Sequence, residues 1–251
     1  AYDDRVRPCF QENCGLPAAR NRGIERAEGK FLLFLDADDW LLPGGVAALV
    51  EGFARFPEAG LVFGDVEFTG DDDHVFARSE YAGERVPFDL LLRENPILVG
   101  GTLVRRSALA AVGLFNPAFR QCEDYDLWLR LALGHPICHV ARTVARIRSH
   151  SEQLSGNVVR QLQWELRIKQ ALAASVRRPG MRRALGNVHH RLAYEYKEIG
   201  DFAGLRAHSL AAVGDYPWRA KYWLYLGASL LPAAWIQRLT AAGSRDWARK
   251  R

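Results

Sequence analysis

Apolar residues from Phe31 to Leu35 form an unbroken run that ends abruptly at three carboxylates, those of Asp36, Asp38 and Asp39. A short and continuously apolar run of this kind predicts a buried strand. In open α/β sheets, ligands bind beyond the carboxyl ends of the strands. We therefore expect this run to be a strand with an acidic ligand-binding site at its end.

A second hydrophobic pattern begins at residue 123 and predicts a helix that is buried over much of its girth. Its apolar positions are Leu127, Trp128, Leu129, Leu131, Ala132 and Leu133. Three carboxylates, Glu123, Asp124 and Asp126, cluster in the first turn, where acidic groups complement the helix dipole. We assign that structural role to Asp126. Further upstream, Gly100-Gly101 allows a tight turn or a close backbone approach to a ligand before the strand that Thr102 begins.

Beyond residue 155 the pattern changes to amphipathic helices separated by turn residues. Breaks at Pro179-Gly180, Gly200-Asp201 and Tyr216-Pro217 predict where helices end. The expected helices cover residues 157–176, 181–199, 202–214 and 217–240. The sequence therefore predicts an α/β domain at 1–155 and an all-helical region at 156–251.

The charge is divided between these two regions. Residues 1–150 contain 17 Lys and Arg against 22 Asp and Glu, whereas residues 151–251 contain 17 against 7. The helical region therefore supplies the basic character of the chain. With 251 residues, 49 % of them hydrophobic, the chain is long enough for one large core and a helical appendage.

The four cysteines, at positions 9, 14, 122 and 138, show neither paired Cys-X-X-Cys spacing nor the density of a disulfide scaffold. We expect reduced thiols, no zinc site and a cytoplasmic location. No apolar stretch reaches the roughly 18 residues of a membrane span. No signal peptide is visible, although a missing start of the chain would hide one.

The segment from Asn13 to Ile24, Asn-Cys-Gly-Leu-Pro-Ala-Ala-Arg-Asn-Arg-Gly-Ile, precedes Phe-Leu-Asp-Ala-Asp-Asp at residues 34–39. Together these motifs resemble the inverting family 2 glycosyltransferases of the GT-A fold, and the likeness covers about the first 155 residues. The resemblance implies an α/β fold class, with a GT-A mixed sheet flanked by helices. It also implies transfer of a sugar from a nucleotide-sugar donor to an acceptor hydroxyl with inversion.

The resemblance assigns donor-binding roles to Arg20, Asp36, Asp38, Gly100 and Gly101. In the family, the aspartates of the Asp-X-Asp motif bind a divalent cation, Mn²⁺ or Mg²⁺, and the donor diphosphate. Hard oxygen ligands suit both ions. The arginine lies near the nucleotide, where a guanidinium forks onto phosphate oxygens or faces a base, and the glycines border the sugar and acceptor pocket.

The same resemblance gives the catalytic roles to the acidic pair of the second helix. Asp124 is expected to be the general base that takes the proton from the acceptor hydroxyl, and Glu123 the neighbour that orients the base or the acceptor. His150 lies in an Arg-X-His-X-X-Ser-like stretch whose histidine approaches the metal or diphosphate. A neutral imidazole is an acceptable third ligand for Mn²⁺.

Family members open with strands ending near Pro-X-Tyr-Asn and Asp-Asp-Gly-Ser, and this sequence contains neither motif. The expectation is an N-terminally truncated domain whose activity belongs to a longer protein. A UDP-sugar is the expected donor, with a glycan or lipid-linked acceptor used in cell-surface polysaccharide or glycolipid synthesis. Two alternatives remain open: a nucleotidyltransferase on a related scaffold, and a non-catalytic domain that serves as a scaffold or binds carbohydrate.

Aromatic and basic residues alternate in the last predicted helix, and two interpretations remain for it. It contacts an anionic membrane surface peripherally, or it packs as an ordinary helical hairpin. The residues concerned are Trp218, Arg219, Lys221, Tyr222, Trp223, Tyr225, Leu226, Leu230, Leu231, Trp235, Ile236 and Arg238. Nucleic acid is not expected as a partner, because no recognised nucleic-acid motif appears and the positive charge is scattered.

Overall fold

The computed structural model of the chain describes residues 3, 5–149, 157–232 and 235–236. The chain divides into two compact units, residues 1–156 and 157–251. These are called the N-terminal unit and the helical unit below.

Six strands form one sheet in the described part of the N-terminal unit. Their ranges are β1 Phe31–Leu32, β2 Trp40–Leu41, β3 Leu61–Thr69, β4 Val75–Ser79, β5 Thr102–Arg105 and β6 Ile137–Arg148. The spatial order is β1-β5-β3-β6-β2, and β4 pairs with β3. The long central strands β3 and β6 are parallel, whereas the other pairs are antiparallel.

Five α-helices accompany the sheet in the part of this unit that the structure describes. Their ranges are α1 Leu16–Arg26, α2 Gly45–Arg55, α3 Phe88–Leu91, α4 Arg106–Val112 and α5 Glu123–Gly134. This architecture confirms the predicted mixed sheet flanked by helices. The second predicted helix and the strand that begins at Thr102 both form where the sequence placed them.

The core of the N-terminal unit lies between α2 and the two central strands. Leu49 and Phe53 of α2 are buried against Val62 and Val144. At Gly52 a Cβ atom would come within 2.6 Å of Val62 Cγ1, so only glycine lets the helix approach the sheet this closely. This packing fixes the sheet whose strand ends carry the candidate site.

The strand expected at residues 31–35 is shorter than predicted. Only Phe31 and Leu32 pair, with Arg105 and Val104 of β5. Leu35 is exposed, so the end of the apolar run is not buried on both faces. The reason is that a strand needs a partner along its whole length, and the described ladder covers two residues here.

The helical unit contains α6 Val158–Ser175, α7 Met181–Glu198, α8 Phe202–Asp215 and α9 Ala220–Ser229. The first three lie within one residue of the predicted ranges at each end. Side-chain caps explain this accuracy: Asn157 accepts a hydrogen bond from the backbone N–H of Arg160, and Asp201 from that of Gly204. Gly200 at φ 79° follows α7 in a conformation that glycine favours.

The fourth helix was predicted at 217–240, but α9 covers only 220–229. Leu230 still has a helical backbone, and Pro232 follows two residues later, where its missing N–H cannot continue the helix. A short helical stretch at residues 235–236 is described beyond it. Arg238 and the rest of the expected helix lie outside the described residues.

The aromatic side chains of this last segment divide between the two interpretations of the sequence. Tyr222 and Ile236 are buried, as packing requires. Trp218, Trp223 and Trp235 are 84 %, 53 % and 62 % exposed, which simple packing does not explain. Among the described residues, no helix combines the length and apolar character needed to cross a bilayer.

Candidate active site

The candidate site is organised around the guanidinium group of Arg20. Its Nη1 donates to Glu123 Oε1 at 2.5 Å, and its Nη2 donates to Asp36 Oδ1 at 2.9 Å. The side chains of Arg20 and Glu123 are each only 8 % exposed, whereas that of Asp36 is 40 % exposed. One cation therefore joins the acidic turn after β1 to the acidic first turn of α5, 103 residues along the chain from Arg20.

Helix α1 directs Arg20 inward because of its amphipathic pattern. Pro17, Arg20 and Ile24 are its buried positions, three and four residues apart, so they share one helical face. Pro17 lies in the first turn, where a backbone N–H has no partner within the helix. The N–H that proline lacks therefore costs the helix no hydrogen bond. Helix α1 therefore places Arg20 on its buried face.

The residues of the Asp-X-Asp motif form a β-turn. The backbone N–H of Asp39 donates to the carbonyl of Asp36 at 3.1 Å, which closes the turn over Ala37 and Asp38. Asp38 is exposed and Asp36 is partly buried. The turn therefore presents one carboxylate to solvent while the other is held by Arg20.

Asp39 has a role that sequence reasoning did not assign. Its Oδ1 accepts the backbone N–H of Arg148 at 3.0 Å, which ties the turn to the end of β6. Burial, and secondarily the charges of Asp36 and Asp38, raise the pKa of Asp39 to about 6. The position of Asp39 directly after the motif was a signal that could have identified it.

Gly100 and Gly101 lie in a buried 3-10 turn immediately before β5. A Cβ atom at Gly100 would lie 3.3 Å from Asp39 Oδ2, so the structure brings this glycine to the acidic turn. A Cβ atom at Gly101 would lie 2.7 Å from Val66 Cγ1, so that glycine packs against β3. Gly100 therefore borders the site, and Gly101 permits the close packing behind it.

The acidic pair begins α5, directly after a residue with unusual backbone geometry. Cys122 has φ 56°, in the left-handed region that non-glycine residues rarely adopt. Burial raises the pKa of Glu123, and the charge of Arg20 opposes that rise. Burial, followed by the charge of Glu123, raises the pKa of Asp124 to about 7. A carboxylate with that pKa is suited to accept and release a proton near neutrality.

Asp126 has a structural partner instead. Its Oδ2 accepts from Nη2 and Nε of Arg130 at 2.7 and 3.0 Å. Arg130 also donates to the carbonyls of Val112 and Leu114, which fixes the loop before α5. This arrangement agrees with the structural role assigned to Asp126 from the sequence.

Asn21 and Phe115 are further site residues that sequence reasoning missed. The side-chain amide of Asn21 donates to the carbonyl of Phe115 at 2.8 Å and accepts its N–H at 2.9 Å. The ring of Phe115 lies 5.5 Å from the Arg20 guanidinium carbon and packs edge-on against Phe34 at 5.1 Å. Asn21 thus holds an aromatic wall beside the central arginine.

His150, the expected third metal ligand, lies outside the described residues. Among the residues that the structure does describe, no three His, Cys, Asp or Glu side chains converge as a metal site. Asp36 and Asp38 nevertheless fit the common Mg²⁺ and Mn²⁺ mode, in which the protein supplies one or two carboxylates and the substrate phosphates supply other oxygens. Burial and, to a smaller extent, the charges of Asp36 and Asp38 raise the pKa of Asp39, and a cation would relieve the repulsion between these charges.

The model of the family described as glycosyl transferase family 2 matches residues 1–113, and these include the arginine helix, the acidic turn and the glycine turn. The N-terminal unit belongs to glycosyl transferase family 2. The family 2 unit also has a GT-A fold. The chain superimposes on the crystal structure of S. aureus TarS in complex with UDP-GlcNAc with a TM-score of 0.55 at 15 % identity, over 79 % of this chain and 62 % of that one.

Relatives of the family 2 unit include an uncharacterized glycosyltransferase of Rickettsia prowazekii. It is 24 % identical over 169 residues, which cover 65 % of this chain and 53 % of the relative. The amylovoran biosynthesis glycosyltransferase AmsE of Erwinia amylovora is 26 % identical over 161 residues, covering 58 % of this chain and 55 % of AmsE. The chain thus spans about half the length of these two curated relatives.

The buried ion pair of the family 2 unit leads to a first prediction, on stability. Arg20→Leu should lower the free energy of unfolding by about 3–5 kcal/mol at pH 8, because Glu123 would remain buried without its partner. This loss of stability should be smaller at pH 5. At that pH Glu123 of the folded variant is protonated, because burial without Arg20 raises its pKa, and a neutral side chain costs less to bury than a charged one. Urea denaturation at both pH values measures the difference.

Arg22→Leu is the matched control on the same helix. Arg22 pairs with Glu25 at the surface, where both side chains are about half exposed, so its loss should change stability by no more than about 0.5 kcal/mol. An equally large effect of Arg20→Leu at pH 5 and pH 8 would assign the loss to packing against Phe115 and not to charge.

Proposed function

We propose that the chain transfers a hexose or similar sugar from a UDP-sugar to an acceptor hydroxyl with inversion, and that it depends on a divalent metal ion. The observation that carries this proposal is the double contact of Arg20 with Asp36 and Glu123. It joins the acidic turn, suited to the donor, to the acidic helix start, suited to the acceptor. One hydrogen-bonded network thereby connects the proposed donor site to the proposed acceptor site.

Asp36 and Asp38 would hold Mn²⁺ or Mg²⁺ against the donor diphosphate, with His150 as the proposed third ligand. When bound, the metal ion offsets the negative charge that develops on the departing diphosphate. The guanidinium of Arg20 lies beside Asp36, so it would fix the turn and add positive potential next to the diphosphate. Gly100 would leave room beside Asp39 for the sugar.

Asp124 would take the proton from the acceptor hydroxyl as the oxygen attacks the sugar carbon on the face opposite the diphosphate. Glu123 is held by Arg20 at 2.5 Å and would orient the base or the acceptor. A pKa of about 7 leaves Asp124 partly deprotonated at neutral pH and able to receive a proton. The proton would remain on Asp124 until the product departs.

The acceptor is proposed to be a glycan or a lipid-linked glycan, in synthesis of a cell-surface polysaccharide or glycolipid. The amylovoran biosynthesis assignment of the relative AmsE supports this class of product. We also propose that the protein is cytoplasmic and contacts the inner face of the membrane peripherally through its helical unit. The net positive charge of residues 151–251 and the exposed tryptophans support that contact.

Donor hydrolysis provides the test of this function. When a panel of nucleotide sugars is assayed, we expect UDP to be released from one UDP-sugar. The release should require Mn²⁺ or Mg²⁺ and should be abolished by a chelator. The assay uses the longest natural form of the protein that contains this chain, since the relatives are longer. Formation of a nucleotide sugar from a sugar phosphate and UTP would indicate a nucleotidyltransferase instead. Glycan binding without turnover of any donor would indicate a non-catalytic module.

A further inference from the structure

The turn between α6 and α7, the first turn, lies beside the turn between α8 and α9, the second turn, at one end of the helical unit. Arg182 at the start of α7 donates from Nη2 to the carbonyl of Gly214 near the end of α8, at 2.9 Å. A Cβ atom at Gly186 would lie 3.3 Å from the Cβ of Tyr216, which shows how closely α7 approaches the second turn. This end of the unit, formed by residues 176–183 and 214–223, is called the basic end below.

An open crevice of about 450 Å³ lies in the first of these turns. Its described lining includes three arginines and no carboxylate, above an aliphatic floor. Its lining residues include Arg177, Arg178, Arg182, Val176, Met181 and Leu185. Guanidinium groups bind phosphate oxygens through paired N–H donors, while the floor can accept alkyl groups. The crevice therefore suits a phosphate that is attached to an apolar body.

The basic end carries further positive charge around the crevice. Residues 176–183 and 214–223 contain six Lys and Arg but one carboxylate, that of Asp215. Burial lowers the pKa of Lys221, and the neighbouring charge of Arg219 lowers it further. Arg183 and Arg219 both lie close enough to Tyr222 to oppose the rise in its pKa that burial causes. Like charges are thus crowded here, which a polyanionic surface would relieve.

Two tryptophans project from the same end, Trp218 from the second turn and Trp223 from the start of α9. Trp218 is 84 % exposed and Trp223 is 53 % exposed, although the indole of Trp223 donates to the carbonyl of Pro217 at 2.8 Å. Exposed tryptophans beside basic residues are typical of proteins that lie in the interface of a bilayer, where the ring enters the headgroup region.

We propose that the basic end docks on an anionic phospholipid bilayer, with a headgroup phosphate in the arginine crevice and Trp218 inserted at the interface. The proposal gives a location to the membrane contact proposed above and rests on it. A nucleic acid fits less well, because the crevice floor is aliphatic and offers no aromatic platform on which bases could stack.

Vesicle binding by the full chain tests this assignment, without any nucleotide sugar present. The chain should co-sediment at low salt with phosphatidylcholine vesicles that contain phosphatidylglycerol, and not with vesicles of phosphatidylcholine alone. Arg177→Gln/Arg178→Gln should weaken binding about 30-fold, because each basic residue at an anionic surface contributes about fivefold. Both positions lie outside α6 and α7, and thermal unfolding checks that the variant is folded.

The matched control is Arg160→Gln/Arg167→Gln, which removes the same charge from exposed positions of α6. Its binding should change by less than about threefold. The five Lys and Arg residues of 237–251 are unchanged in both variants and cannot account for a difference. Trp218→Ala should remove most of the binding that persists when salt screens the charges.

Several results would overturn the proposal. Equal weakening in the two double variants would mean attraction by net charge without a docking site. No binding to phosphatidylglycerol vesicles at low salt would remove the membrane partner. Stabilisation of the chain by inorganic phosphate or glycerol phosphate, lost in Arg177→Gln/Arg178→Gln but without vesicle binding, would assign the crevice to a soluble phosphate compound. Tighter binding to a single-stranded oligonucleotide than to vesicles would assign it to nucleic acid.

UDP release with a soluble acceptor is measured separately, so loss of docking and loss of transferase activity are distinguishable.

Discussion

Asp124→Asn should lower turnover of the UDP-sugar by a factor of about 10² to 10⁴, with donor affinity nearly retained. The substitution keeps the shape of the side chain but removes the atom that accepts the proton from the acceptor. Donor affinity should persist because Asp36 and Asp38, the proposed ligands of the metal and diphosphate, are unchanged. Steady-state kinetics with separate measurement of donor binding gives both quantities.

The pH dependence provides an independent signature of the same residue. Burial raises the pKa of Asp124 to about 7, so the wild-type rate should fall about tenfold per pH unit below pH 7 and level off above it. The folded protein holds this proton to a higher pH than the unfolded chain does, so ionisation of Asp124 reduces stability as pH rises from about 4 to 7. The difference in the free energy of unfolding between Asp124→Asn and wild type should therefore favour the variant more at pH 8 than at pH 4. The variant should be less active even where it is more stable.

Asp126→Asn is the control for this prediction, because it makes the same chemical change two residues further along the chain. Asp126 is bound to Arg130, so its replacement should lower stability while turnover of the folded enzyme changes little. Full turnover in Asp124→Asn, together with a large loss in Glu123→Gln, would transfer the role of base to Glu123. A loss of donor binding as severe as the loss of turnover would place Asp124 in the nucleotide site.

Local signals determined most of what could be predicted from the sequence. The ranges of α6, α7 and α8 follow from Asn157, Pro179-Gly180 and Gly200-Asp201, whose effects act within a few residues. The fourth helix is shorter than predicted because the aromatic pattern continues past Pro232, whereas α9 ends at Ser229. The strand expected at 31–35 depends on a partner strand that the local pattern does not contain.

The residues of the candidate site were easier to predict than their contacts. Motifs identified Arg20 and the acidic pair separately, but no short-range pattern indicates that Arg20 would bind Glu123, which lies 103 positions further along the chain. The same is true of the bond between Asp39 and the backbone of Arg148. The Asp39 contact arises because β2, which begins at Trp40, pairs with β6. The Glu123 contact arises because Arg20 bridges two segments that are distant in the sequence. The metal and donor roles stay predictions.

Asp38→Ala should abolish metal-dependent binding of the UDP-sugar and leave the fold intact. Asp38 is the exposed carboxylate of the turn, so its removal should change the free energy of unfolding by no more than about 0.5 kcal/mol. Loss of an outer-shell group alone weakens metal sites about 10- to 100-fold, so loss of a ligand should weaken donor affinity in Mn²⁺ by at least about 100-fold. Calorimetry of donor binding with Mn²⁺ and with chelator measures the effect.

Asp36→Ala is less informative, because it also removes a partner of Arg20 and would combine a metal effect with a change in the buried network. Asp71→Ala is the matched control, since Asp71 is an exposed aspartate in the turn between β3 and β4. It should bind donor as wild type does, with the same dependence on Mn²⁺. If Asp38→Ala retains metal-dependent affinity equal to that of Asp71→Ala, the Asp38 carboxylate does not hold the metal, and the proposed metal site in the acidic turn is wrong.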